Sequence, residues 1–216
     1  MSKKEKEWEV WDKHRADGLV KGWGDPRLCI KEMNPGSGKK HWRLVKKVHS
    51  LVEGKSVLDV GCGLGHLFIL LKDVDYLGID SSKAMLRKAR DFFPKDKNKF
   101  QFGSVYDLSA LPLFDTIVAN GLILHLPESK SAIISLWRKA KICLIFTAWL
   151  GEAPLVKTDK LFHQAAQDDK YLIRRQETMD NLQNIFDKLT GVCRIEKYPF
   201  YNPIPGSNII FKLFKR

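Results

Sequence analysis

The sequence predicts an α/β fold with a doubly wound, mostly parallel sheet of seven strands. Five short apolar runs are separated by segments of helical character, as in strands that alternate with helices. Two later runs alternate apolar and polar residues around a turn rich in Pro and Gly, which predicts a C-terminal antiparallel hairpin. The predicted strands cover residues 57–60, 76–79, 99–103, 115–120, 142–149, 192–199 and 208–214.

The segments between these runs predict the helices. Residues 41–51 are amphipathic, and Ser82 stands where it can cap a helix that continues to Phe93. Residues 129–141 predict another helix, and Gly191 follows a last one at 176–189. The apolar segment 67–71 also reads as the start of a helix directly after the first strand.

The first strand leads into a turn with little side-chain bulk. Asp59 ends the apolar run, and Gly61, Gly63 and Gly65 follow at alternate positions. Glycine tolerates positive φ and has no Cβ, so this spacing predicts a sharp turn that a flat ligand can approach closely.

A second carboxylate follows the second strand. Asp80 comes directly after the run Tyr76–Ile79, 21 residues beyond Asp59, a distance that fits one helix and a returning strand. An acid at the end of a second parallel strand can accept hydrogen bonds from both hydroxyls of a ribose. The pattern therefore indicates a nucleoside-containing cofactor.

Two classes of cofactor fit a glycine turn followed by a ribose-binding acid. The dinucleotide fingerprint places its third glycine one residue later than Gly65. Asp59 would also repel a pyrophosphate at the turn, but it suits the ammonium group of a methionine moiety. The spacing and the charge thus favour S-adenosylmethionine over a dinucleotide.

Four blocks of the sequence resemble the class I S-adenosylmethionine-dependent methyltransferases, in the order and spacing of that family. Residues 57–67 resemble its glycine motif and residues 79–90 its ribose-binding block. Residues 102–108 resemble the block beside the adenine, and residues 114–127 the fourth-strand block. The likeness covers about residues 57–150 and implies S-adenosylmethionine as cofactor and S-adenosylhomocysteine as product.

The resemblance implies a set of cofactor-binding residues around the ends of the first four strands. They are Asp59, Gly61, Cys62, Gly63, Gly65, Asp80, Ser81, Met85, Ser104, Val105 and Asn120. The chain departs from the family at Ser104, where many members carry an acid that contacts the adenine amino group. Adenine recognition is then expected to use the Ser104 hydroxyl, the backbone or Asp107.

Two residues after the fourth strand are candidates for catalysis. Asn120 is expected to face the transferred methyl group, and His125 is the candidate general base, because its ordinary pKa of roughly 6.5 suits proton transfer at neutral pH. A turn-forming role for Asn120 and packing of His125 under the following helix are the alternatives. Aromatic and polar residues that can line an acceptor pocket are Trp11, Trp23, Trp149, Tyr201 and Asn202.

Length and composition predict a single domain with an added cap. Residues 1–40 are expected to form an N-terminal helical cap and residues 41–216 the methyltransferase domain, with 151–175 as a helical insertion over the active site. The chain shows no membrane-spanning run, no signal peptide and no paired-cysteine metal motif, so a cytoplasmic protein with reduced thiols and no metal is expected.

The net charge of +12 leaves the methyl acceptor open. Residues 1–56 contribute +6 of it, from 14 basic and 8 acidic residues, and the remainder is spread along the chain. Transfer to an O or N atom of a small molecule is the first hypothesis, and an RNA, such as tRNA, is the alternative acceptor. A non-catalytic docking module and a dehydrogenase are further alternatives. The sequence sets neither the acceptor nor the oligomeric state.

Overall fold

A computed structural model describes residues 25–29, 37–71, 73–160, 171–200 and 207–216. Its helices are α1 (Pro26–Cys29), α2 (Ser37–His49), α3 (Lys83–Phe92), α4 (Lys130–Lys139) and α5 (Met179–Phe186). Its strands are β1 (Ser56–Val60), β2 (Asp75–Asp80), β3 (Phe100–Phe102), β4 (Phe114–Ala119), β5 (Ala140–Leu150), β6 (Leu155–Lys160), β7 (Tyr171–Gln176), β8 (Val192–Phe200) and β9 (Ser207–Lys215). Short 3₁₀ turns cover Phe68–Leu70, Pro94–Lys99 and Ile123–His125.

Seven strands form one sheet in the order β3-β2-β1-β4-β5-β9-β8. The first five are parallel, and β9 pairs antiparallel with both β5 and β8. The strand order reverses between β1 and β4, and ligands of open α/β sheets bind at the carboxyl ends of the strands at such a reversal. The predicted parallel sheet and its C-terminal hairpin are confirmed.

Helices cover both faces of the sheet. On one face, Trp42 and Val45 of α2 and Leu86 of α3 pack in a single apolar cluster with strand residues. On the other face, Trp137 of α4 and Phe186 of α5 pack in a second cluster. Parallel strands covered in this way are apolar on both sides, which explains the continuous apolar runs of the sequence. None of the described helices is long and apolar enough to cross a membrane.

The connection from β1 to β2 differs from the prediction. The expected helix over residues 67–71 is a single 3₁₀ turn, Phe68–Leu70. Only the residues between Gly65 and the start of β2 at Asp75 connect the glycine turn to that strand, a stretch that is shorter than the usual crossover between parallel strands. Leu67 and Leu71 are each 5% exposed, so the apolar character of the segment reflects burial.

The segment predicted as a helical insertion forms strands where the structure describes it. β6 and β7 pair antiparallel as a separate two-stranded ribbon, with Leu155 opposite Gln176 and Lys160 opposite Tyr171. β-branched and aromatic residues in both strands favour this conformation over a helix. Residues 161–170 lie outside the described part of the chain.

The predicted boundaries shift at two helices. Helix α2 begins at Ser37, four residues before the predicted start and inside the segment assigned to the cap. Helix α5 begins at Met179, because Gln176 belongs to β7 and the Thr178 side chain caps the helix by accepting a hydrogen bond from Asn181 N. The rest of the predicted cap, residues 1–24 and 30–36, lies outside the described residues.

Candidate active site

The glycine turn after β1 adopts the conformation that its sequence predicts. Gly61, Gly63 and Gly65 have φ of 76°, 53° and 80°, values that residues with a Cβ rarely adopt. The backbone N–H groups of Gly61 and Cys62 both donate to the Ile79 carbonyl, at 2.8 and 3.1 Å. These bonds fix the turn against the end of β2.

The three glycines differ in what surrounds them. A Cβ on Gly65 would lie 2.9 Å from ring carbons of Phe93 and Phe100, so close packing excludes a side chain there. A Cβ on Gly63 would meet no described atom within 4 Å. Gly65 therefore serves the packing of the turn, while Gly63 leaves an open face on which a ligand can rest against the backbone.

The Asp80 carboxylate lies at the end of β2 and is tied to the glycine turn. One oxygen, Oδ2, accepts a hydrogen bond from Gly63 N, and Oδ1 accepts one from Ser82 N, both at 2.8 Å. A carboxylate oxygen can accept a second bond, so Asp80 can also bind two ribose hydroxyls. Burial raises the pKa of Asp80, and the backbone donors oppose that change.

Asp59 is more deeply buried than Asp80, with 3% of its surface exposed. Its Oδ2 accepts a hydrogen bond of 2.8 Å from the Tyr76 hydroxyl of the neighbouring strand. Burial raises the pKa of Asp59 to about 7; the Tyr76 hydrogen bond opposes this rise, and the nearby Asp80 adds to it. Asp59 is thus poised to gain or lose a proton at neutral pH.

Tyr76 is the residue of this site that the sequence prediction missed, since it was assigned only to an apolar strand. A signal was present at Gly78, a glycine inside a strand, which often marks a close approach of neighbouring groups. Gly78 is the register partner of Asp59, and a Cβ there would lie 2.7 Å from the Tyr76 hydroxyl and 3.0 Å from the Cys62 thiol. The glycine leaves the space in which Tyr76 reaches Asp59.

The candidates for the adenine site divide into exposed and buried residues. Ser81 and Ser104 are partly exposed, and Ser104 Oγ accepts a hydrogen bond from Tyr106 N at 3.2 Å. Met85 and Val105 are 2% and 3% exposed and lie in apolar clusters. Cys62 is also buried, and its surroundings raise the pKa of the thiol well above its usual value.

Asn120 lies directly after β4, beside β5. Ala119 pairs with Phe146, and Gly121 N donates a 2.6 Å hydrogen bond to the Thr147 hydroxyl. Trp149 follows two residues later on the same face of β5 as Thr147. The predicted pocket residues Trp11, Trp23, Tyr201 and Asn202 lie outside the described residues.

His125 ends the 3₁₀ turn Ile123–His125, beyond the carboxyl end of β4, and is partly exposed. The ribbon is attached to the same loop by Arg175, which donates from Nε to the Leu126 carbonyl at 2.9 Å and from Nη2 to the Pro127 carbonyl. Arg175 also pairs with Glu177 at 3.4 Å, and 4% of the Glu177 side chain is exposed. Arg175 therefore joins the ribbon to the loop that contains the candidate base.

The chain belongs to a family of methyltransferase domains, whose model matches residues 51–191. The strand order, the glycine turn and the acid after β2 define it as a class I S-adenosylmethionine-dependent methyltransferase, as the resemblance implied. No curated protein sequence matches the chain at a significant level.

Solved methyltransferase structures share the fold at low sequence identity. Magnesium protoporphyrin IX methyltransferase from Synechocystis, with bound S-adenosylhomocysteine, is 16% identical, with a TM-score of 0.62 over 95% of this chain and 100% of that one. A methyltransferase from Thermotoga maritima, titled a possible histamine N-methyltransferase, is 14% identical, with a TM-score of 0.63 over 97% and 100%. The glycopeptide N-methyltransferase MtfA, complexed with S-adenosylmethionine, is 14% identical, with a TM-score of 0.57 over 80% and 86%. At such low sequence identity, the structural similarity establishes the shared fold alone.

Proposed function

We propose that the protein transfers the methyl group of S-adenosylmethionine to an O or N atom of an uncharged small molecule. The observation that carries this proposal is the position of Asp80, whose carboxylate is tied to the open glycine turn through Gly63 N. This arrangement supports Asp80 as the ribose-binding acid, beside a backbone surface free of side chains. Positioning of the acceptor behind the methyl group then supplies most of the catalysis.

The residues at the strand ends fit the cofactor. Gly61 and Gly63 supply a backbone surface for the methionine end, and Asp80 supplies acceptors for the ribose hydroxyls. Asp59 is buried, so we assign it the electrostatic role of favouring a cation at the turn. We assign Ser81, Met85, Ser104 and Val105 to the adenine side of the site. When bound, S-adenosylmethionine supplies an electrophilic methyl group on a sulfonium.

The acceptor side of the proposed site lies at the carboxyl ends of β4 and β5. Among its described polar groups, those of Asn120, Thr147 and Trp149 are uncharged, and the nearby Arg175 is paired with Glu177. Uncharged partners suit a neutral molecule better than a phosphate backbone, which basic side chains bind. This chemistry supports a small-molecule acceptor.

We assign proton removal from the acceptor to His125. An O–H or N–H acceptor forms one bond to the methyl carbon, the sulfonium sulfur leaves as a neutral thioether, and one proton must go to a base. The position of His125 after β4 and its partial exposure support this assignment. His125→Gln should lower kcat and remove the ionisation of the base from the pH profile.

RNA is the second candidate acceptor, and one observation favours it. The net charge of +12 suits a polyanion, because basic side chains bind phosphates. A salt series with bulk tRNA tests this reading. Several phosphate contacts would make the affinity fall steeply as the salt concentration rises. Weak binding that does not depend on salt would exclude RNA as the acceptor.

Transfer of a labelled methyl group into a cell extract tests the function directly. The extract is separated afterwards into RNA, protein and metabolite fractions, with Asp80→Ala protein as the inactive control. The proposal expects label in the metabolite fraction, dependent on Asp80. Label confined to RNA would contradict a small-molecule acceptor and support RNA. Label in no fraction would contradict both acceptor hypotheses.

A cytoplasmic location is the remaining part of the proposal. Three of the cysteines, Cys62, Cys143 and Cys193, are free thiols. Free thiols persist in reducing compartments, while oxidising ones favour disulfides. Fractionation of cells that express a tagged chain tests the location.

A further inference from the structure

Two polar side-chain atoms of the described residues are buried without a hydrogen-bond partner, Asn120 Oδ1 and Trp149 Nε1. A buried polar atom without a partner lowers stability, and native proteins contain few of them. Both atoms belong to residues at the carboxyl edge of the sheet, on neighbouring strands. Two such atoms at this edge indicate groups whose partner is a ligand.

The strand register places the two residues close together. Asn120 follows Ala119, the partner of Phe146, and the bond from Gly121 N to Thr147 Oγ1 holds this turn against β5. Trp149 lies two residues beyond Thr147 and on the same face. Ideal strand spacings then separate the Cα atoms of Asn120 and Trp149 by about 8 Å, a distance that a small molecule can bridge.

The backbone around Trp149 is fixed, so its unpaired indole is not the result of a frayed strand end. The Trp149 carbonyl accepts a 2.8 Å hydrogen bond from Glu177 N, and Trp149 is the register partner of Asn208 in β9. The flanking Ala148 and Leu150 are 1% and 8% exposed. The strand that carries the donor is therefore held in place, while the donor itself has no hydrogen-bond partner.

The two atoms have complementary roles and carry no charge. Asn120 Oδ1 accepts a hydrogen bond, and Trp149 Nε1 can only donate one. The hydroxyl of Thr147, which lies between them, already accepts a bond from Gly121 N. A molecule that satisfies both must present one donor and one acceptor together, without a net charge that would lose its hydration on entry.

We propose, resting on the function proposed above, that Asn120 and Trp149 recognise the methyl acceptor through these two atoms. The acceptor is an uncharged molecule with a hydrogen-bond donor and an acceptor on one edge, as in an amide. Asn120 binds its donor and Trp149 its acceptor. Specificity for a neutral acceptor follows from this pair.

Indole N–H resonances in NMR spectra test the pair without a methyl-transfer assay. The protein is saturated with S-adenosylhomocysteine and titrated with benzamide, and Trp149→Phe assigns the Trp149 signal. Benzamide should shift that signal saturably, and toluene, which lacks both polar groups, should not. Trp137 is the internal control, because its Nε1 already donates to the Thr190 carbonyl at 3.0 Å and its signal should stay in place. Asn120→Leu should weaken benzamide binding about tenfold.

Thermal unfolding separates recognition from a structural role. Trp149→Phe removes an unpaired donor and should leave the melting temperature unchanged or raise it, whereas Trp137→Phe removes a paired donor and should lower it. Three results would overturn the proposal: no shift of the Trp149 signal by benzamide in the saturated protein, equal shifts with benzoate or benzylamine, or equal losses of melting temperature in the two variants. Failure of S-adenosylhomocysteine to bind would instead contradict the proposed function. If benzamide still shifted the Trp149 signal in that case, Asn120 and Trp149 would remain a ligand-binding pair.

Discussion

The Tyr76 hydroxyl donates a 2.8 Å hydrogen bond to the buried Asp59 carboxylate, across the register that pairs Asp59 with Gly78. This contact couples the glycine turn to the strand that carries Asp80. Burial raises the pKa of Asp59 to about 7. A group that titrates near neutral pH therefore lies beneath the proposed cofactor site. The charge of the site therefore depends on pH in the neutral range.

Cofactor affinity should increase with pH through about 7. A cationic ligand favours the ionised Asp59, so binding below that pH must release a proton, and the affinity should fall by up to tenfold per pH unit as the solution becomes more acidic. Calorimetry with S-adenosylmethionine from pH 5.5 to 8.5 measures this. Asp59→Asn removes the ionisable group, and subtracting its profile isolates the Asp59 contribution from the titration of the ligand.

The same ionisation should affect stability in the opposite direction. The folded protein binds the Asp59 proton more tightly than the unfolded chain, whose aspartate pKa is about 3.9. The resulting stabilisation is full below pH 4 and is lost as the pH rises through about 7. Urea unfolding should show this loss in the wild type and a smaller one in Asp59→Asn. Equal pH profiles for the two proteins would contradict the raised pKa.

Alanine at two glycines of the turn should separate packing from binding. Gly65→Ala places a Cβ 2.9 Å from Phe93 and Phe100 at a φ of 80°, and should lower the free energy of unfolding by about 2–4 kcal/mol. Gly63→Ala meets no described atom within 4 Å and should cost only about 1 kcal/mol. Its added methyl group occupies the proposed ligand face, so Gly63→Ala should weaken S-adenosylhomocysteine binding at least tenfold. Normal affinity in Gly63→Ala would place the ligand elsewhere.

Removal of Arg175 should detach the ribbon from the loop after β4. Arg175→Ala leaves the buried Glu177 carboxylate without its cation and should cost about 3 kcal/mol, or about 6–12 °C in melting temperature. Lys99→Ala is the control, because the side chain of its partner Asp75 is 76% exposed and the ion pair should contribute less than about 1 kcal/mol. Similar melting temperatures for both variants would show that the ribbon is not held by Arg175.

The sequence was sufficient for the sheet and for the glycine turn with its neighbouring carboxylate. Glycines at positive φ and a carboxylate after β2 are local requirements, and local requirements leave a direct pattern at Gly61, Gly63 and Asp80. The hairpin of β8 and β9 was equally visible, because two runs that alternate apolar and polar residues flank a sequence rich in Pro and Gly.

Features that depend on contacts between distant segments were not predictable in the same way. The hydrogen bond from Tyr76 to Asp59 depends on strand register, and Gly78 alone hinted at it. The ribbon was mistaken for a helix, because the pairing of Leu155 with Gln176 spans a long stretch of sequence that shows no hairpin pattern. The 3₁₀ turn at Phe68–Leu70 was mistaken for a helix because a short apolar run does not reveal its period.

Calorimetric titration of the wild type and of Asp80→Asn with S-adenosylmethionine, and with NAD in parallel, tests the central claim most directly. The claim is that the glycine turn and its two carboxylates select a cationic adenosine cofactor without phosphates. It predicts one S-adenosylmethionine site with a Kd on the order of micromolar, binding at least tenfold weaker in Asp80→Asn, and no detectable heat with NAD. Binding of NAD with no response to S-adenosylmethionine would contradict it.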